Sequence, residues 1–176
     1  QILMARPRAK DYDEKRSLIL EQAVQLFAEQ GYANSSITQL ALRCGSSKAS
    51  LYHYFDSKDA VLFEIFNEHT QRLLKVVSDV KELVLEPEEQ FREFLQQLLR
   101  IYESAQNTHL VLLYDLNRLA PEQYEIIASR ERQVVSELAA ILDALCPELL
   151  KQQPELRKPL AMTLMGMINW TFTWLR

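Results

Sequence analysis

The sequence predicts an all-α protein, with a small three-helix unit at the front and a larger helical domain behind it. Three observations carry this. Only three Gly and six Pro punctuate 176 residues. Apolar residues recur at steps of three and four along most of the chain, the spacing of one helix face. No run of β-branched residues alternates with polar ones as a half-buried strand would. With 48% hydrophobic and 25% charged residues, the composition is that of a folded globular chain rather than a disordered one.

Residues 1–12 read as a flexible basic arm, since Arg6, Arg8 and Lys10 precede any acid. Met4 reads as an initiator, and Gln1–Leu3 are set aside from fold reasoning. From Asp13 to Gln30 a helix is expected, because Ile19, Ala23, Leu26 and Phe27 share one face. Gly31 ends it.

Residues 35–58 then hold a short helix, a tight turn and a second short helix. Ile37, Leu40, Ala41 and Cys44 fall at i, i+3, i+4 and i+7. Ser36 with Gln39 fits a capping box, in which each residue satisfies a free N–H of the other's backbone. Gly45 supplies the positive φ of the turn. Ser47 is a second N-cap, and Leu51 with Phe55 anchors the second helix to a core. Its other positions, Lys48, Ala49, Ser50, Tyr52 and His53, are small, basic or hydrogen-bonding, a face that suits the major groove of DNA. Residues 13–57 therefore read as a helix-turn-helix domain. Its core would be Ile19, Ala23, Leu26, Phe27, Tyr32, Ile37, Leu40, Ala41, Leu51 and Phe55.

The domain of residues 58–176 opens with a long amphipathic helix from Lys58 to about Val84, striped by Leu62, Phe66, His69, Leu73, Val76, Val80 and Leu83. His69 on that stripe reads as a buried helix contact. Pro87 opens a helix over about 88–104 with Phe91, Phe94, Leu95, Leu98, Leu99 and Tyr102 inward. Asn107 or Thr108 caps a shorter one ending near Arg118. Pro121, at a first helical position, opens another that reaches about Leu145. The last segment, about 155–175, is apolar nearly all round: Leu160, Met162, Leu164, Met165, Met167, Ile168, Trp170, Phe172, Trp174 and Leu175. Such a helix needs cover on every side, from its own core and from a partner.

The net charge of −4 divides unevenly. Residues 1–60 hold eight Lys and Arg against seven Asp and Glu, and the remainder hold twelve against seventeen. The field is basic near the N-terminus and acidic behind it. Cys44 and Cys146 each lie in an apolar pattern and read as buried free thiols. With three isolated histidines and no close Cys or His pair, a metal site has no support, and no cofactor motif is present. Neither a run of 18 apolar residues nor a secretory leader pattern occurs, so a cytoplasmic protein outside the membrane is expected. No nucleophile with a base, and hence no catalytic residue, is proposed.

Ser35 and Ser36, at a helix N-terminus, can offer hydroxyl and backbone donors to a phosphate. Arg43 is placed for a phosphate or groove contact. Ser47, Lys48 and Ser50 are DNA-contact candidates, with Lys48 and Ser50 for base edges, because Lys reaches guanine O6 and N7. Arg6, Arg8 and Lys10 could follow the phosphates.

Leu26-Phe27, Gly31-Tyr32, Ser35-Ser36-Ile37, Leu40-Ala41, Gly45, Ser47-Lys48, Leu51-Tyr52-His53-Tyr54-Phe55 and Ser57-Lys58 together resemble the TetR family of bacterial transcriptional regulators. The resemblance covers residues 13–60. It implies a helix-turn-helix DNA-binding domain, a helical ligand-binding and dimerisation domain, a homodimer on a palindromic operator, and release of double-stranded operator DNA by a small-molecule effector. It also implies backbone contacts from Tyr52 and His53, a phosphate contact from Lys58, and a further interface helix beyond Arg176. Ser46 departs from the usual Val, and Ala49 from a frequent Gly.

For the effector, Phe66, Phe94, Tyr102, Tyr114, Asn117, Arg118, Met165 and Asn169 are the expected lining, apolar with a few polar groups. Gly166 to Trp174 is similar to a helix of TetR-type regulators of fatty-acid and aromatic-acid degradation, which implies an acyl-CoA or fatty-acid-like effector. The rival reading is a helical small-molecule-binding protein whose helix-turn-helix no longer binds DNA.

Overall fold

The computed structural model describes residues 6–171, with side chains from Lys10 onward. Arg6 and Arg8 as side chains, and Phe172, Trp174 and Leu175, lie outside the described residues. Nine α-helices follow one another among the described residues: α1 (Arg6–Gln30), α2 (Ile37–Arg43), α3 (Lys48–Tyr52), α4 (Lys58–Glu82), α5 (Pro87–Ser104), α6 (Gln106–Asp115), α7 (Pro121–Leu145), α8 (Pro147–Gln152) and α9 (Arg157–Trp170). Single 3₁₀ turns fall at Leu116–Arg118 and Pro154–Leu156. None of the described helices is long and apolar enough to cross a membrane.

Compactness divides the chain into two units. The first holds residues up to Phe66 together with Leu110–Leu119; the second holds Asn67–His109 and residues from Ala120 onward. The sequence reading places the division at Lys58 instead. Pattern alone cannot find it, because α4 continues unbroken through the change of unit and Leu110–Leu119 joins the first from far along the chain.

In the first unit α1 packs on α2 and α2 on α3. Ile19, Ala23, Leu26, Phe27, Tyr32, Ile37, Leu40, Ala41, Leu51 and Phe55 are all buried, as their spacing predicts. Helix α1 begins at Arg6, well before Asp13, so residues 6–12 of the expected arm are helical. Its apolar face starts only at Ile19, which leaves the first turns without a periodic signal.

In the second unit α5, α7 and α9 pack on one another, and α8 packs on α7. Phe94, Leu98, Leu138, Ala161, Met165 and Ile168 lie in one buried cluster. Helix α4 stops at Glu82, so Leu83, expected on its buried stripe, is half exposed. Val84 follows in the left-handed region at φ 47°, a conformation that costs a β-branched residue roughly 1–2 kcal/mol. Helix α8, started by Pro147 at its first position, has only six residues, too few for a periodic signal.

Candidate nucleic-acid interface and buried polar cluster

Both short helices are closed by their own sequence. Ser36 is extended (φ −132°, ψ 155°) and its Oγ accepts from Gln39 N at 3.2 Å, while Gln39 Oε1 accepts from Ser36 N at 2.8 Å. This is the expected capping box. Gly45 takes φ 57°, and Ser47 Oγ accepts from Ser50 N at 3.1 Å, capping α3. Two capped helices of seven and five residues cannot persist alone; Leu40 and Leu51, both buried, anchor them in the core of the first unit.

Burial of Leu51 leaves Ser47, Lys48, Ala49, Tyr52 and His53 exposed, with Ser50 half-buried. Lys48 Nζ rests 5.8 Å from the Tyr52 ring centroid, so base-reading and backbone-contacting candidates share one face. The next residue after the α3 cap, Tyr54, stacks on Tyr12 of α1 with centroids 4.7 Å apart and planes at 22°. Tyr12 was not singled out by sequence, because contacts across distant elements leave no local pattern.

Three candidates are placed differently from the sequence reading. Ser35 is buried: its hydroxyl donates to Gly31 O at 2.7 Å and accepts from Gln30 Nε2 at 3.4 Å. Its side chain closes the α1–α2 turn and has no free donor for a phosphate. Lys58 points back into the same turn, donating to Tyr32 O and Ser35 O, both at 2.8 Å. Arg43 is exposed but held by Glu29, with Nη1 at 3.2 Å from Oε1 and a second contact from Nη2 to Oε2. That hydrogen-bonded pair lowers the Glu29 carboxyl and raises the Arg43 guanidinium from their ordinary values. A phosphate would have to displace Glu29.

The effector candidates separate in the same way. Phe66 is buried in the first unit, and Phe94, Tyr102 and Met165 are buried in the second, where they share one cluster. Tyr114, at 72% exposed, and Asn117 and Arg118 face outward instead of lining a cavity. The inward positions on α6 are His109, Val111, Leu112 and Asp115, and the chain then tightens into a 3₁₀ turn that turns Asn117 and Arg118 away. Arg118 Nε donates to Asp115 Oδ1 at 2.5 Å, and its guanidinium lies 5.7 Å from the Tyr32 ring centroid. Asn169 is half-buried, with Oδ1 lacking a hydrogen-bond donor.

The second unit also assembles a polar cluster that the sequence does not display. His69 of α4, Tyr102 of α5 and His109 of α6 are all buried. Ring centroids are 6.1 Å apart for His69–Tyr102, 6.3 Å for His69–His109 and 4.7 Å for Tyr102–His109. Burial holds both imidazoles down at about 4, with His109 and Arg72 adding to the effect on His69. Burial also raises the Tyr102 phenol and the Glu131 carboxyl. Arg130 Nη1 donates to Asn67 Oδ1 at 2.5 Å and to Thr70 Oγ1 and Asn67 O at 3.3 Å. Among the described residues no group of three His, Cys, Asp or Glu is placed to hold a metal.

Comparison with known proteins agrees with this architecture. Residues 19–65 match the family described as bacterial regulatory proteins, tetR family, and residues 84–176 match the tetracyclin repressor-like C-terminal domain. An uncharacterized HTH-type transcriptional regulator of Bacillus subtilis, YuxN, is 34% identical over 91 residues, which is 52% of this chain and 30% of that protein. The chain thus spans about a third to a half of the curated relatives it matches. The crystal structure of a TetR-family regulator from Bordetella parapertussis superposes with a TM-score of 0.83 at 35% identity, covering 90% of this chain and 82% of that one. AibR, solved with isovaleryl coenzyme A and operator DNA, shares the fold at a TM-score of 0.75 and 24% identity, over 92% of this chain and 88% of that one. With a helix-turn-helix and a C-terminal domain that both match, the chain belongs to the tetR family of bacterial regulatory proteins.

Proposed function

We propose that the chain is a ligand-responsive transcriptional regulator, a repressor that binds a palindromic operator as a homodimer and is released by a small apolar or acyl-CoA-like effector. The observation that carries DNA binding is the capped α2–α3 pair, which buries Leu51 and leaves Ser36, Ser47, Lys48, Tyr52 and His53 exposed. Dimerisation is supported by Met162, Met167 and Trp170, exposed on α9 at 52%, 63% and 62%. Apolar area concentrated on one helix marks a surface that a partner covers. The effector class is supported by the fold shared with AibR, whose structure holds isovaleryl coenzyme A. A regulator of this kind works in the cytoplasm, where the DNA is.

Selection of bound duplexes from random sequence, followed by gel shifts over a salt series, tests the reading. A palindromic site whose half-sites lie a helical turn or a multiple apart, bound with affinity that falls steeply with salt, is the expected result. Failure to retain any duplex at low salt would favour the rival, a helical small-molecule-binding protein without DNA binding.

A further inference from the structure

We infer that the His69–Tyr102–His109 cluster is the polar end of the effector site, and that it takes a neutral oxygen, a carbonyl or a hydroxyl, carried on an otherwise apolar small molecule. The inference rests on the ligand-responsive reading above and assigns its chemistry.

His69, Tyr102 and His109, all within the second unit but on three different helices, bring their polar rings to the same place, although the surrounding core is aliphatic and aromatic. His69 is 3% exposed, and its Nε2 has no hydrogen-bond partner. A buried polar atom left in that state opposes folding, and most buried polar atoms do find a partner. The same stripe of α4 carries Leu62, Phe66 and Leu73, so an apolar side chain would fit the local pattern without that penalty. The orphaned nitrogen is therefore explained by a group that arrives later.

The charge of the site selects the class. Both imidazoles are held neutral by burial, and Arg72 further disfavours a cation at His69. The nearby Arg130 Nη1 is already engaged by Asn67 and Thr70, and Glu131 adds an acid beside Tyr102. Arg72 acts on His69 from one side and the Glu131 acid on Tyr102 from the other, so the cluster has no net positive charge dedicated to a carboxylate, whose burial without a counter-charge is strongly unfavourable. A neutral imidazole offers one N–H and one lone pair, and a phenol one O–H, so an ester, thioester, ketone or alcohol oxygen can be satisfied from either side. Leu73, one turn after His69, and Leu98, one turn before Tyr102, supply the apolar flank. Because the rings are packed together, part of the binding free energy is spent in parting them.

The test uses the full chain with ¹⁵N-labelled histidine rings. Only three histidines are present, and His53 is an exposed internal reference. S-octanoyl-N-acetylcysteamine, 2-octanone and octanoate are titrated as probes. The two neutral probes are expected to shift the His69 ring nitrogens and leave His53 in place, with octanoate at least tenfold weaker. No shift at His69 with any probe, or octanoate acting as well as the ketone, overturns the inference.

Two variants separate a ligand site from simple packing. His69→Phe is expected to melt no lower than the parent and to lose the thermal shift given by the neutral probes. Tyr102→Phe keeps the ring and is expected to weaken that shift. Retention of the full shift in both variants overturns the assignment. Gel shifts on the parent are read separately. Lost DNA binding with a responsive His69 removes the regulator reading alone, and DNA binding with a silent His69 removes this inference alone.

Discussion

Lys58 Nζ lies 4.0 Å from the centroid of the Tyr32 ring and donates to the carbonyls of Tyr32 and Ser35, both at 2.8 Å. The first residue of α4 therefore satisfies two carbonyls of the turn that enters α2. Tyr32 in turn donates its hydroxyl to Asp59, which closes a loop of contacts between turn and helix. The consequence is that Lys58 ties the start of α4 to the turn that enters the helix-turn-helix instead of lying free beside it.

Replacing Lys58 with Met leaves both carbonyls without this donor and removes the cation from the ring. A loss of about 2–3 kcal/mol in stability is expected, from two charge-assisted hydrogen bonds and one cation–π contact. Urea unfolding checks it. A midpoint equal to that of the parent would return Lys58 to the role of a plain surface cation.

Lys48→Ala should behave in the opposite way. Lys48 is exposed, with its ammonium 5.8 Å from the Tyr52 ring centroid, so stability should move by less than about 0.5 kcal/mol. Operator affinity should fall by roughly 1–3 kcal/mol, with relaxed preference at one base position. A mobility-shift series over single-base operator variants reads both effects.

Glu29→Gln tests the pairing of Arg43. Glu29 of α1 occupies the guanidinium of Arg43, the last residue of α2, and both residues are exposed. Freeing Arg43 and removing one negative charge should tighten DNA binding about two- to tenfold at low salt, with a steeper salt slope. Stability should barely change, since exposed ion pairs contribute little. Weaker DNA binding in this variant would show that Glu29 helps to place Arg43.

Val84 is 90% exposed at φ 47°, so its side chain gains little from packing while its backbone is strained. Val84→Asn should raise stability by about 0.5–1 kcal/mol, because Asn tolerates the left-handed region. Thermal melting measures this. A lowered Tm would mean that the turn between α4 and α5 needs the valine for another reason.

The pH dependence follows from His69 and His109, whose folded values of about 4 lie below the ordinary 6.5. Between those values the unfolded chain binds more protons than the folded one. Stability that is fully present above about pH 6.5 is therefore lost as pH falls towards 4. The parent's Tm should decline across that window, and His69→Phe should flatten part of the decline. Equal slopes for the two proteins would show that another group carries the titration.

Local chemistry made the helix-turn-helix readable in advance. Ser36 and Gln39, Gly45, and Ser47 with Leu51 each determine a cap, a turn or an anchor within a few residues, and the structure realises all of them. The ten core positions of the first unit were legible for the same reason, because helical spacing fixes which side is buried. Exposure of Lys48, Tyr52 and His53 followed directly from burial of Leu51.

The tertiary structure decided what side chains do once a face is chosen. Ser35 and Lys58 stand in the helix-turn-helix motif, yet both turn inward, because the carbonyls and donors of the α1–α2 turn need partners. Tyr114, Asn117 and Arg118 lie near apolar clusters in sequence but face outward where α6 tightens into a 3₁₀ turn. His69, Tyr102 and His109 are far apart along the chain, and only the packing of three helices brings their rings within 7 Å of one another. Sequence spacing records the period of one helix; the meeting of different helices is set by how their faces pack, and that information exists only in three dimensions.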